Sequence, residues 1–388
     1  RNNSMTVRVS KPAFNLREKI SELDKPSGIK GSELLKSNTI QEARDLIGAG
    51  RKNLIINGNF DVWQRGTSFS SLNTMQYTAD RWLQYAAGSS TVTATQQTFT
   101  VGQTEVPGNP KYYYRLDNTP DPNTAWLELF YRIEDVRRFS DVPVTLSFWM
   151  RANKPQHDLI DQINVSQNFG SSGSSLVTVV SPKFNVSTQW QKYEFTFDLP
   201  SIAGKTINAN SFLQIHLLRV TNSVAADTYY DLAQFQLEYG RAATPFEQRS
   251  FGEELALCQR YAYRLGGLSK QYQVVATGFI GHNASLDTGK VVVHLPTTMR
   301  TNPSISVIGT DAFWVHTGGA ETGTSDMDAT LAAGGPWNAA SSGNHVWIDF
   351  GRTGGGSPNR GVACVVYTKN NNQGELLFDA ELPSTYSP

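Results

Sequence analysis

The strongest constraint in this sequence is a period of two. In the segment VTLSFWM (144–150), Val144, Leu146, Phe148 and Met150 alternate with other side chains, and the same pattern recurs at 193–197 (YEFTF) and 212–217 (FLQIHL). Successive side chains of a strand point to opposite faces, so each run describes a strand with one buried face. Each is bounded by Pro, Gly, Asn or Asp, and many short strands separated by turn residues make a sandwich or a barrel. Trp149 and Trp190 lie within or beside these runs and read as core or flanking residues.

One long segment departs from that period. FGEELALCQRYAYRL (251–265) places Leu255, Cys258, Tyr261 and Leu265 at helical spacing and predicts a helix that divides the body. Residues 53–250 hold most of the regular strand patterns, whereas 266–388 contain 18 of the 32 glycines and four of the six histidines. The second zone is therefore expected to be a smaller β domain with long loops at 318–343 and 351–361. At 388 residues the chain is long enough for more than one core.

The net charge of zero conceals an asymmetry. Residues 1–52 carry 11 Lys+Arg against 6 Asp+Glu, leaving 23 against 28 for the rest, and only Phe14 of the 42 aromatic residues lies in this arm. Such a segment cannot close a large core. Two short helical signals, at 14–23 and 39–47, are marginal alone and call for partners. The neutral total removes the electrostatic footprint of a nucleic-acid binder. No apolar run is long enough to span a bilayer, and the signal-peptide layout is missing, so no membrane insertion and a soluble, unprocessed chain are expected.

The search for chemistry gives little. The sequence has no G-x-S-x-G elbow, phosphate-binding loop, H-E-x-x-H or metal-spaced His/Cys cluster, so no catalytic residue, metal ligand or cofactor is assigned. Cys258 and Cys364 read as buried thiols and His216 and His294 as structural residues of strands. Glu128, Glu134 and Asp135, and Asp326 and Asp328 in a Gly-rich loop, read as solvated charges. Trp314, Trp337 and Trp347 lie in or beside Gly/Ser/Asn-rich segments, where a flat ring with amide and hydroxyl neighbours can stack on a sugar. They are the candidate ligand-binding residues.

Five ordered segments carry a family resemblance: NLIINGNFDVWQRGTSF (53–69), YTADRW (77–82), LSFWMRA (146–152), WQKYEFTFDLP (190–200) and LAQFQLEYGRAATPFEQRSFGEELALCQRY (232–261). Together they resemble phage tail-fibre and related virion proteins that carry a jelly roll like that of carbohydrate-binding modules. SKPAFNLREKISELDKP and IQEARDLIGAG in the arm, with LPTTMRTNPSI and FDAEL near the C-terminus, are similar to the flanking parts of such fibres. The resemblance implies a mainly β fold: a short helical N-terminal attachment and trimerisation arm (1–52), a jelly-roll β-sandwich (53–250), a connecting helix (251–265) and a smaller β-sandwich-like domain (266–388). It further implies a non-enzymatic homotrimer, assembled in the host cytoplasm, that joins other tail or virion proteins through its arm and contacts a host surface glycan. A polysaccharide depolymerase or glycosidase-associated carbohydrate-binding module, and a structural decoration of head, neck or tail, are the alternatives. A fainter similarity is to sugar-binding modules whose first and last strands hold a structural calcium. Asp61 matches the first strand, but Ala233 and Gln234 stand where the last strand needs aspartates, so no calcium is expected there despite nearby Asp231.

Overall fold

The alternating segments form strands of two antiparallel sheets packed face to face. In chain order these are β1 (Ser68–Ser70), β2 (Gln76–Tyr77), β3 (Trp82–Ala87), β4 (Val92–Thr98), β5 (Tyr112–Asn118), β6 (Trp126–Glu134), β7 (Val142–Ala152), β8 (Gln156–Ile160), β9 (Asn164–Asn168), β10 (Val177–Val180), β11 (Phe184–Val186), β12 (Gln191–Leu199), β13 (Phe212–Thr221) and β14 (Thr228–Tyr239). One sheet has the order β1-β4-β5-β14-β7-β12; the other runs β10-β9-β13-β6-β3-β2, with β8 pairing β13 and β11 pairing β8. The chain passes repeatedly between the sheets, which makes a jelly-roll sandwich. The computed structural model describes residues 52–70, 74–87, 92–118, 126–154, 156–160, 162–221, 228–266, 273–280, 288–308, 313–317, 326–331, 345–353, 362–368 and 374–383. The expected helices of the arm lie outside them.

The sandwich core is built from the inward half of each alternation. Val144, Leu146, Phe148 and Met150 of β7 meet Leu127, Leu129 and Tyr131 of β6 across it. Its centre is aromatic: Phe148 stacks on Phe235 at 4.7 Å, and Phe60 and Trp82 lie 4.8 Å apart.

The segment Asn53–Phe60 explains how β14 can bulge. Between Ala233 and Gln236 the ladder of β14 with β7 slips, and Gln234 sits at φ 51°. That slip would strand the backbone groups of Phe235 inside the protein, where an unpaired N–H or C=O is costly. Instead Phe235 N–H donates to Gly58 O at 2.8 Å and Phe235 O accepts from Asn53 Nδ2 at 3.0 Å. The approach needs glycine at 58, since a Cβ there would stand 2.1 Å from Phe235 O. Gly58→Ala is expected to lower the unfolding free energy by about 2 kcal/mol through overpacking, measured by urea unfolding; an unchanged midpoint would show that the strand yields freely.

After the sandwich come α1 (Phe251–Gln259), β15 (Ala262–Gly266), β16 (Val274–Ile280), β17 (Thr288–His294), β18 (Ser304–Ile308), β19 (Phe313–Thr317), β20 (Asp326–Leu331), β21 (His345–Thr353), β22 (Val362–Thr368) and β23 (Glu375–Asp379). The helix is shorter than 251–265. It is capped by Ser250, whose side chain accepts from Glu253 N–H, and beyond it Ala262–Gly266 pairs with β23 as a strand. The mainly β reading and the jelly roll hold, but the smaller part, expected as sandwich-like, closes as a barrel of order β16-β17-β21-β20-β19-β22. Closure follows because β16 pairs β17 on one side and β22 on the other, which leaves no edge. Val291, Val293, Val315, Val346, Ile348 and Val366 fill its interior.

Sandwich and C-terminal strands are not separate bodies: residues Asn53–Pro388 form one compact unit. A buried ionic junction joins them. Arg81, from the turn before β3, pairs with Glu381 and lies over the Tyr261 ring at 3.5 Å. Arg65 reaches Asp379 at 2.8 Å and Asp80 at 3.7 Å, and Arg132 of β6 donates to Pro383 O. Main-chain bonds add to this, with Ala380 N–H donating to Tyr261 O at 2.7 Å.

Burial pushes the Asp80 carboxyl up to about 6, although nearby Arg65 pulls the other way. A raised carboxyl favours the folded state while it is protonated, so its contribution is complete below about pH 4 and is lost as pH rises through about 6. Raising the carboxyl that far corresponds to about 3 kcal/mol. The unfolding temperature of the native chain relative to Asp80→Asn therefore falls between pH 4 and 6; a constant difference by calorimetry would contradict this assignment.

Candidate functional site

The outer face of the six-stranded sheet carries the residues that alternate with the core. β7 turns Thr145, Ser147, Trp149 and Arg151 outward because its other side chains are buried inside. Strand register then aligns rows across the face. Arg115, Asp231 and Arg151 form one row, Ala233, Trp149 and Lys192 the next, and Gln236, Ser147 and Glu194 a third.

The first row is an ion triad. Asp231 is fully buried and accepts from Arg115 Nε at 2.7 Å, Arg115 Nη2 at 2.9 Å and Arg151 Nε at 2.9 Å. The guanidinium groups also lie over aromatic rings, Arg115 over Tyr229 at 3.8 Å and Arg151 over Trp190 at 5.0 Å. Beside the triad, Phe99, Val106, Tyr113, Trp190 and Ala233 make a small second core, with half-buried Trp149 packed against it.

On the far side of this cluster lies an open groove of about 780 Å³. Ser147, Trp149 and Gln234 line it, with Pro107 and Gly108 on one wall and residues 243–246 on the other. Both walls are fixed by hydrogen bonds. Gln234 Nε2 donates to Pro107 O at 2.6 Å and Gln248 Nε2 to Gly108 O at 2.7 Å. On the opposite wall, Glu238 accepts from Thr244 N and Oγ1, both at 2.8 Å. Lys192 is the charged side chain among the lining residues and pairs with Glu194 at 2.5 Å. An indole with hydroxyl, amide and ammonium groups around it suits a ring that has an apolar face and polar edges. No carboxylate is among the lining residues of the groove, the nearest being Glu194 on Lys192 and Glu238 on Thr244.

Trp314 and Trp347, two of the three tryptophans singled out in the sequence, are not brought level with each other. Trp314 lies in β19, half-buried and edge-on to Tyr367 at 5.9 Å. Trp347 lies in β21 opposite Val292, whereas register through Asp328 sets Trp314 level with Thr353 of that strand. Trp337 lies outside the described residues. Trp149, assigned to core or flank, instead lines the groove, with Phe246 on one wall. Alternation could have revealed this, because Phe148 and Met150 on either side both point inward.

Other assignments change as well. Glu128 is no solvated charge: it is buried against His216 at 3.3 Å, and His216 stacks on Phe130. Glu134 is half-buried and accepts from Arg260 Nη2 at 3.0 Å. Asp326 and Asp328 belong to strand β20 and not to a loop. Asp231 is held by two arginines, and Asp61 accepts from Asn59 Nδ2 at 3.2 Å. Among the described residues no group of three or more His, Cys, Asp or Glu is placed to hold a metal ion, and no helix is long and apolar enough to cross a membrane. Both cysteines are free and buried, and burial pushes the Cys364 thiol up to about 11.

No protein-family model matches the chain, and neither does any curated protein. Solved structures do show likeness. A CBM4 carbohydrate-binding module is 20% identical over 47% of this chain and 98% of its own, with a TM-score of 0.27. The CBM22-1 xylan-binding domain of Paenibacillus barcinonensis Xyn10C is 12% identical over 50% of this chain and all of its own, with a TM-score of 0.29. The enzymatically active domain of bacteriophage CBA120 tailspike protein 4 is 14% identical over 48% of this chain but only 21% of its own, with a TM-score of 0.29.

Proposed function

We propose that this chain is a non-enzymatic bacteriophage virion protein, a homotrimeric tail fibre that joins the particle through residues 1–52 and contributes to recognition of a host surface glycan. The observation that carries the glycan-binding part is the groove with Trp149 at its base and two hydrogen-bonded walls. The five sequence segments that resemble virion fibres support the assignment to a particle. Glycan contacts through one such groove are weak individually, and trimerisation raises their effective concentration.

The jelly-roll groove, rather than the loops around Trp314, Trp337 and Trp347, is the site assigned to the glycan. Its walls are pinned on both sides, so a ligand meets a formed surface and little ordering entropy opposes binding. A glycan array probed with the full chain tests the reading, alongside localisation of the protein in particles by immunogold microscopy. Binding together with a tail position supports it, and a blank array with fixed stoichiometry in particles leaves only structural decoration.

The same groove favours a second reading, a carbohydrate-binding module that serves a glycosidase or depolymerase. Release of reducing ends from host polysaccharide by the purified full chain would overturn the fibre reading and make the chain itself a depolymerase. Light scattering that gives the mass of one chain would move the assignment towards the second reading.

A further inference from the structure

A second groove, of about 600 Å³, opens at the mouth of the sandwich beside α1 and β15. Its base follows from the strand pattern. On the inward side of β4 the apolar row Val92, Ala94 ends in Gln96, and on β5 the row Leu116, Tyr114 ends in Tyr112. The last inward positions turn polar where they leave the core and face this opening. One wall is apolar. Glu254 and Cys258 are the buried residues of α1, whereas Phe251 and Leu255, one turn apart, line the groove, and Phe251 is 59% exposed. Phe251 thus presents an aromatic face to the opening and not to the core.

The facing wall is polar and charged. Asp61, Lys111 and Arg264 line it together with Gln64 and Thr67. Arg264 donates through Nη1 to Gln64 O at 2.8 Å and pairs through Nη2 with Glu375, while its Nε is buried without a hydrogen-bond partner. Lys111 lies over the Tyr112 ring at 4.8 Å. An apolar strip facing acceptors and donors of both signs fits neither a purely apolar partner nor a simple anion. It fits a pyranose, whose C–H face is apolar and whose hydroxyl edge both donates and accepts.

We propose that this junction groove is a second sugar-binding site, in which a ring lies against Phe251 and Tyr112 and its hydroxyls meet Asp61, Lys111 and Arg264. The ligand class rests on the glycan-binding reading above, but the site does not use the Trp149 groove. It exists only where α1 and β15 pack against the sandwich, so a jelly roll alone would lack it.

The test is isothermal titration of the full chain with the short oligosaccharides xylotriose, cellotriose and trigalacturonate. Two sites per chain are expected, of which Phe251→Ala removes one and Trp149→Ala the other. Phe251 is exposed, so its replacement leaves folding intact, and Asp61→Asn should weaken the same site at least tenfold. A single site that is lost with Trp149→Ala and untouched by Phe251→Ala would overturn this inference and leave the first reading standing. Failure of the native chain to bind these sugars or any glycan of the array overturns both. A change of mass by light scattering in Phe251→Ala, without loss of a sugar site, would show that a second copy of the chain covers Phe251.

Discussion

Glu381→Ala should lower the unfolding free energy by about 3–5 kcal/mol, the range expected when one partner of a buried ion pair is removed. Glu381 is buried and faces two arginines, Arg81 in direct contact and Arg65 at 3.5 Å. Without its carboxylate, Arg81 keeps a full charge in a site where its other neighbours are the Tyr131 and Tyr261 rings and the carbonyl of Arg132. The arginine cannot escape by losing its proton, since a guanidinium stays charged. The loss should be specific to the unmatched charge. Replacing both partners, as Arg81→Met with Glu381→Leu, should recover most of the stability, because apolar pairs commonly substitute for buried ion pairs. Urea unfolding followed by circular dichroism reads both variants, and the single variant should also separate the transitions of sandwich and barrel. A change below about 1 kcal/mol would mean that water reaches the junction and screens it.

Trp149→Ala should weaken glycan binding by roughly 30-fold, which corresponds to about 2 kcal/mol for a well-placed aromatic anchor. Binding is measured by titration calorimetry with the best ligand from the array. Phe246 is the other aromatic side chain of the lining, but it belongs to a wall, whereas the indole stands on the sheet itself. Lys192→Ala should cost only a few-fold, because its ammonium group already pairs with Glu194 near the surface. Equal losses for the two variants would point to charge recognition and away from stacking.

What the sequence revealed and what it concealed have physical causes. The strands around 144–150 and 193–197 were legible because one buried face imposes alternation directly. The end of the helix was not: Tyr261 and Leu265 continue its spacing, yet 262–266 is drawn into a strand by β23, more than a hundred residues later. Barrel closure has the same origin, since β16 and β22 meet across a long stretch of chain. In the candidate site, the outward direction of Trp149 follows from the alternation of β7, but its place in a groove does not. The walls depend on the β14 bulge at Gln234 and on long-range bonds such as Gln248 to Gly108, which no local pattern reports. Gly/Ser-rich context instead drew attention to Trp314 and Trp347, which the barrel register keeps apart.

A glycan held in the groove with Trp149 at its base should slow backbone exchange in the segments that line it. Hydrogen–deuterium exchange of the full chain, with and without purified host surface polysaccharide, tests it most directly. Protection should rise in 145–149, 234–238 and 243–248, the segments that build the base and one wall. Protection confined to 313–317 and 345–353, with the groove unchanged, would place the ligand on the barrel and contradict the account.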